Sequence, residues 1–311
     1  MGDALRGLLA TLFPGDCRIC QSSLFSISRL PVCTSCIESI KPILLARCNV
    51  CGNLLASADA AFGDARCATC AVEEPAFERA VNYGAYAGVL RQLIHILKYE
   101  RVRSAAVPLG RLTAEACVQL EGDIDVEELL LIPVPSHKAR TRSRGFNQAE
   151  LIARAAQRGI EHAIGRRLTL DLTSLQRVRF VESQVALSAE ERRRQVRGAF
   201  NVTSRDRIKG REILLIDDVL TTGATASECA RELRHAGASR IWVATPARAL
   251  GRLEYELIEE SGKRLPATES LSSLCMSSSG TALGNLPQRR GILPVNGGQR
   301  VGWYASRPHL L

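Results

Sequence analysis

The chain has 311 residues, 46% of them apolar and 23% charged, an ordinary globular balance with room for two domains and a tail. A formal net charge of +9 points to an anionic partner, though solvated basic faces are common enough that charge alone decides little. No stretch approaches the roughly 18 apolar residues of a membrane span. The N-terminal piece carrying Leu5, Leu8, Leu9, Leu12 and Phe13 lacks the apolar core and cleavage site of a signal peptide, so a cytoplasmic protein is expected.

Residues 1–75 hold eight of the eleven cysteines, arranged as four C-x-x-C pairs: Cys17/Cys20, Cys33/Cys36, Cys48/Cys51 and Cys67/Cys70. In a reducing compartment such pairs bind metal more often than they form disulfides. Each pair is a knuckle offering two thiolates, so eight make two tetrahedral Cys₄ sites, and two structural Zn²⁺ ions are expected. Pairing along the chain joins Cys17, Cys20, Cys33 and Cys36 in one site and Cys48, Cys51, Cys67 and Cys70 in the other, with 12 and 15 residues between knuckles. A cross-braced arrangement fits the same spacing. Large apolar residues are few here, so metal must supply much of the segment's stability. Cys117 and Cys229 fall in helical patterns and read as small core residues; Cys275 is isolated.

Pro75 marks a boundary, and residues 76–249 alternate strands with helices. Ala80–Tyr86 reads as a strand, and Val89–Leu97 as a helix with Val89, Leu90, Leu93, Ile94 and Leu97 on one face. Then come a helix over Ala105–Leu120, a buried strand from Leu129 ending in Pro133 and Pro135, a helix over Phe146–Ile160 and a strand within Leu168–Leu175. Ile213–Ile216 is a short apolar strand, Ala226–His235 a helix stopped by Gly237, and Arg240–Thr245 a last strand. Such alternation argues for a parallel sheet with crossovers, which binds ligands at the carboxyl ends of its strands. Residues 250–311 are rich in Ser, Gly, Pro and Arg without apolar periodicity, and a poorly ordered tail is expected.

The densest chemistry lies in Ile213-Leu214-Leu215-Ile216-Asp217-Asp218-Val219-Leu220-Thr221-Thr222-Gly223-Ala224-Thr225. Two carboxylates at a strand tip can accept hydrogen bonds from neighbouring sugar hydroxyls. A Thr/Gly loop opening a helix makes a phosphate cradle from backbone N–H groups. The competing reading is an ordinary strand–turn–helix with acids at the strand end. The stretch resembles the phosphoribosyl pyrophosphate (PRPP) motif of type I phosphoribosyltransferases over all thirteen positions. That resemblance implies Asp217 and Asp218 on the ribose hydroxyls, Thr221, Thr222, Gly223, Ala224 and Thr225 around the 5-phosphate, and Mg²⁺ accompanying PRPP. By the same resemblance Lys98, at the end of the Val89–Leu97 helix, is a pyrophosphate candidate.

Two basic segments remain. Lys138, Arg140, Arg142 and Arg144 lie at alternate positions after the Leu129–Pro135 strand, so an extended loop would carry them on one side. Arg142 and Arg144 are therefore candidates to close over pyrophosphate. Arg192, Arg193, Arg194 and Arg197 form a basic run on a helix after Ser188, which is either a well-charged helix end or a surface tracking a nucleic-acid backbone. "PVP" at 133–135 and "RGFNQAELIAR" from Arg144, between "LKY" at 97–99 and the aspartate motif, resemble the ComF/GntX family of competence-associated proteins over roughly residues 5–249. The resemblance implies an α/β fold, a type I phosphoribosyltransferase-like parallel sheet with flanking helices, preceded by a small double zinc ribbon. It further implies a PRPP or nucleotide ligand, with single-stranded DNA and a competence helicase as partners in DNA uptake. The expected function is that of a phosphoribosyltransferase-like protein with an unidentified acceptor; the alternative is a non-catalytic sensor and single-stranded-DNA adaptor.

Overall fold

The computed structural model describes residues 15–24, 29–55, 65–179, 189–251 and 253–258; the expectations for the N-terminal piece, for Cys275 and for the tail past 258 lie outside them. The cysteine segment opens with β1 (Gly15–Asp16) and β2 (Ser23–Leu24), an antiparallel hairpin around the first knuckle. Two short helices, α1 (Thr34–Glu38) and α2 (Ala68–Val72), begin at Cys33 and Cys67. The α/β part then runs β3 (Arg79–Ala85), α3 (Gly88–Tyr99), α4 (Ala106–Cys117), β4 (Leu129–Pro133), α5 (Lys138–Arg144) and α6 (Gln148–Ile164). It continues through β5 (Thr169–Leu170), β6 (Leu175–Arg177), α7 (Ala189–Val196), β7 (Phe200–Val202), α8 (Arg205–Ile208), β8 (Glu212–Ile216), β9 (Val219–Leu220), α9 (Ala224–His235) and β10 (Arg240–Arg248).

The main sheet is parallel throughout, in the order β3-β10-β8-β4-β5, with β9 added beside β10. β8 and β4 are buried along their whole length, which is why their apolar runs are unbroken rather than alternating. Successive β8 residues enter different cores. Leu214 and Ile216 pack with residues of α3, α4 and α6, whereas Ile213 and Leu215 pack with Ala226, Cys229, Ala230 and Leu233 of α9. Cys117 and Cys229 are fully buried in these cores, as their helical patterns imply. α4 and α6 approach closely because Gly110 has no side chain; a Cβ there would sit 2.3 Å from that of Ala155. The cysteine segment is divided between the two faces. Cys17, Val32, Cys36 and Ile40 join the α3/α4/α6 core, and Cys48, Val50, Leu55, Cys67 and Cys70 join the α9 core.

Three expectations need correction. Residues 138–144 form a helix, not an extended loop: His137 Nδ1 accepts from Ala139 N–H at 3.2 Å as the N-cap, and Gly145 at φ +83° ends the helix with its N–H on Thr141 O. The Leu168–Leu175 strand is split, because the Asp171 carboxylate accepts from the Thr173 and Ser174 N–H groups and turns the chain. Thr169–Leu170 stays on the main sheet while β6 pairs antiparallel with β7. Beyond residue 249, residues 253–258 are helical, and Tyr255 Oη donates to Tyr86 O at 2.8 Å. Among the described residues no helix is long and apolar enough to cross a membrane.

Candidate functional site

The eight paired cysteines fall into two groups, Cys17, Cys20, Cys33 and Cys36, and Cys48, Cys51, Cys67 and Cys70, with the sulfurs of each group within 4.8 Å of one another. Pairing therefore follows the chain. Neighbouring sulfurs are 3.9 Å apart for Cys17/Cys36 and 3.6 Å for both Cys20/Cys33 and Cys51/Cys67. A tetrahedral ion with bonds of about 2.3 Å sets its sulfurs roughly 3.8 Å apart, so both groups could hold zinc. Backbone N–H groups of Cys33 and Cys36 point at the sulfurs of Cys17 and Cys33, at 3.3 and 3.4 Å, and orient them.

At the carboxyl end of β8 the chain leaves the apolar core and places Asp217 and Asp218 side by side. Asp217 N–H donates to Ala244 O on β10 at 3.3 Å, and Asp218 N–H donates to Asp217 Oδ1 at 2.8 Å. Lys98, in the last turn of α3, puts Nζ 2.9 Å from Asp218 Oδ1, with both side chains less than a fifth exposed. Burial alone would depress the Lys98 pKa, but the Asp218 and Asp217 carboxylates outweigh it and raise it. Burial, and next the charge of Asp218, push Asp217 up to about 7, against the opposing pull of the Asp218 N–H, then of Lys98 and Arg177.

The loop then turns at Gly223, whose φ of +78° suits glycine, and α9 starts at Ala224. Ala224 N–H donates to Thr222 Oγ1 at 3.4 Å. Thr221 is exposed, Thr222, Gly223 and Thr225 are half-buried, and Ala224 is buried. A twelve-residue helix whose N-terminus opens beside these hydroxyls carries the partial positive charge an anion needs.

The turn after Lys98 is braced against α5. Arg101 holds a left-handed φ of +58°, a conformation disfavoured for residues with a side chain, and donates to Ser143 O at 2.6 Å. Arg144 lies over the Tyr99 ring at 5.5 Å, and with the Gln148 amide oxygen turned toward it, its Nε donates there at 3.2 Å. Helical geometry separates the four cations of α5: Arg140 and Arg144 are half-buried, whereas Lys138 and Arg142 are exposed. Arg140, absent from the sequence candidates, is thus on the same face as Arg144. Arg177 on β6 is a second addition. Its guanidinium lies over Phe200 at 5.3 Å, its Nε is buried with no hydrogen-bond partner among the described residues, and it acts electrostatically on Asp217. The structure therefore brings Lys98 to the paired aspartates and turns Arg142 to the surface. On α7, Arg193 pairs with Glu73 at 3.2 Å and Arg194 pairs with Glu190, so part of that basic run is already neutralised.

The chain is 30% identical over 248 residues to competence protein F of Haemophilus influenzae, covering 78% of this chain and 100% of that one. It is 29% identical over 231 residues to the DNA utilization protein YhgH of Salmonella typhimurium, 74% of this chain and 95% of that one. A shorter match, 30% over 111 residues, covers 36% of this chain and 40% of competence protein ComFC of Bacillus subtilis. No family model matches. Among solved structures, a glutamine PRPP amidotransferase from B. subtilis aligns over 46% of this chain and 26% of that one, with 22% identity and a TM-score of 0.28, too loose a superposition to argue from.

Proposed function

The chain belongs to the competence protein F family, and from that premise we propose that it is a PRPP-binding, phosphoribosyltransferase-like protein working in DNA uptake. The observation that carries this reading is the junction of β8 and α9: two adjacent carboxylates at a buried strand tip, a left-handed glycine and a helix N-terminus within nine residues, Asp217 to Thr225. Asp217 and Asp218 would accept from the two ribose hydroxyls, and the Thr221–Thr225 loop would hold the 5-phosphate. Lys98, Arg140, Arg144 and Arg177 would surround the pyrophosphate, with Arg142 left at the surface. Mg²⁺ arriving with PRPP would add further neutralisation of the phosphate charge.

In turnover, a nitrogen nucleophile bonds to the anomeric carbon, the carbon–oxygen bond to pyrophosphate breaks, and pyrophosphate leaves with the bonding pair while the nitrogen loses a proton. The protein's contribution is positioning and stabilisation of the departing charge. Zinc in both Cys₄ groups would hold the N-terminal segments on the two faces of the sheet. A second reading is a PRPP-sensing adaptor that touches single-stranded DNA or a helicase without turnover. It is favoured by Lys98, whose charge is committed to Asp218 rather than to a leaving group. Calorimetric titration with PRPP, with and without Mg²⁺, tests the binding; a screen of nitrogenous bases for pyrophosphate release separates the two readings. Absence of PRPP binding sinks both.

A further inference from the structure

Arg248 ends β10 at 6% exposure, a depth at which a cation without a counter-charge is costly. Its partners among the described residues are two carbonyls and a sulfur. Nη1 donates to Leu220 O at 2.9 Å and to Thr221 O, and Nη2 lies 4.0 Å from Cys51 Sγ. Four thiolates around one Zn²⁺ carry a net charge of about −2, so the loaded second cysteine group supplies the missing anion. We infer that Arg248 is a positioning residue that links metal occupancy of the Cys48/Cys51/Cys67/Cys70 group to the shape of the Leu220–Thr225 loop.

Arg248 is a hydrogen-bonding bridge, touching loop carbonyls and a sulfur of the second cysteine group. A cavity of about 150 Å³ is lined by Cys51, Cys67, Cys70, Phe77, Thr222 and Gly223, so these cysteines and the loop face a common space. Further ties to α9 fall beyond the loop carbonyls: Ala76 N–H donates to Ser227 Oγ at 3.0 Å, and Arg234 Nε donates to Ala76 O at 2.7 Å. The guanidinium fork spans the gap, donating to the loop on one side and facing thiolate on the other. With the metal gone, the sulfurs are no longer held as one cluster facing Arg248, and the carbonyls it donates to lose a fixed charged donor. The Cys17/Cys20/Cys33/Cys36 group packs in the opposite core and has no such route.

The inference rests on reading 221–225 as the phosphate loop, and the test keeps the two apart. Amide hydrogen exchange of the zinc-loaded full chain would follow peptides covering 219–227, before and after chelation. In the wild type, chelation should speed their exchange. Arg248→Met should show that faster exchange while still holding zinc, with no further rise on chelation, and Arg248→Lys should fall between. Exchange that ignores chelation in the wild type, or rises equally on chelation in Arg248→Met, overturns the inference. Chelation should also weaken PRPP binding by about tenfold, within the range of typical coupling between sites. If the wild type binds no PRPP, the functional proposal fails while exchange still decides the coupling. If PRPP binds and exchange is independent of zinc, the coupling alone fails.

Discussion

Asp217→Asn should make the protein more stable at pH 8 while weakening its ligand site. The native carboxyl is raised to about 7 by burial and by Asp218, whereas an unfolded aspartate ionises near pH 4. A group raised in the folded state stabilises fully below its unfolded pKa, and that contribution is lost as pH rises through the folded value. Wild-type stability must therefore fall between pH 6 and pH 8 through this group, and the asparagine variant lacks the loss. One pKa unit corresponds to about 1.4 kcal/mol; the accessible part of that window, discounted for a half-buried site, is about 1 kcal/mol. For a folded part of this size that is roughly 2–4 °C in Tm. Asparagine keeps an oxygen for the Asp218 N–H, so the backbone geometry survives. Scanning calorimetry of zinc-loaded wild type and variant at pH 6 and pH 8 reads the difference directly, with other titrating groups cancelling between them. The Tm gap in favour of the variant should widen by that amount toward pH 8. A gap that is constant with pH, or that narrows, refutes the raised pKa and the carboxylate crowding behind it.

Asp217→Asn and Asp218→Asn should each weaken PRPP binding about ten- to a hundredfold by calorimetry, because each removes a charge-assisted acceptor worth roughly 1.5–3 kcal/mol. Elemental analysis of protein purified without added metal should give close to two zinc ions per chain, and Cys17→Ser should lose one; a folded, metal-free N-terminal segment would contradict the assignment. Arg140→Met should reduce PRPP affinity well beyond Arg142→Met, since only the first side chain lies on the half-buried face of α5; equal effects would mean that face does not meet the ligand. If α7 binds single strands, the log–log salt slope should be near −0.7 per phosphate neutralised and should flatten when Arg192, Arg193 and Arg194 become Glu; an unchanged slope makes the run a solvated face, as the Glu73 and Glu190 pairs already suggest.

Features set by neighbours in sequence were legible, and those set by distant contacts were not. The Ile213–Ile216 run, the adjacent acids and Gly223 announce their own strand, tip and turn, because burial and positive φ leave local marks. The C-x-x-C knuckles announced thiolate pairs but not their partners, since the grouping depends on how two faces of one sheet receive the two halves of the segment. The alternate cations of residues 138–144 satisfy a two-residue period, while the caps at His137 and Gly145 close a seven-residue helix of about two turns. The extended reading grouped all four cations on one side; once the segment is helical, positions 140 and 144 share a face and 142 does not. Arg177 and Arg248 carried no local signal at all. Each is an arginine at the end of a strand, and its meaning comes from partners far away in the chain, Asp217 for one and the Leu220 and Thr221 carbonyls with Cys51 for the other. Arg248 is buried, and a buried cation is too costly to hold without an anion nearby, whereas the half-buried Arg177 reaches Asp217 electrostatically. The Leu220–Thr221 carbonyls and the second cysteine group are joined through this kind of contact, which no motif encodes.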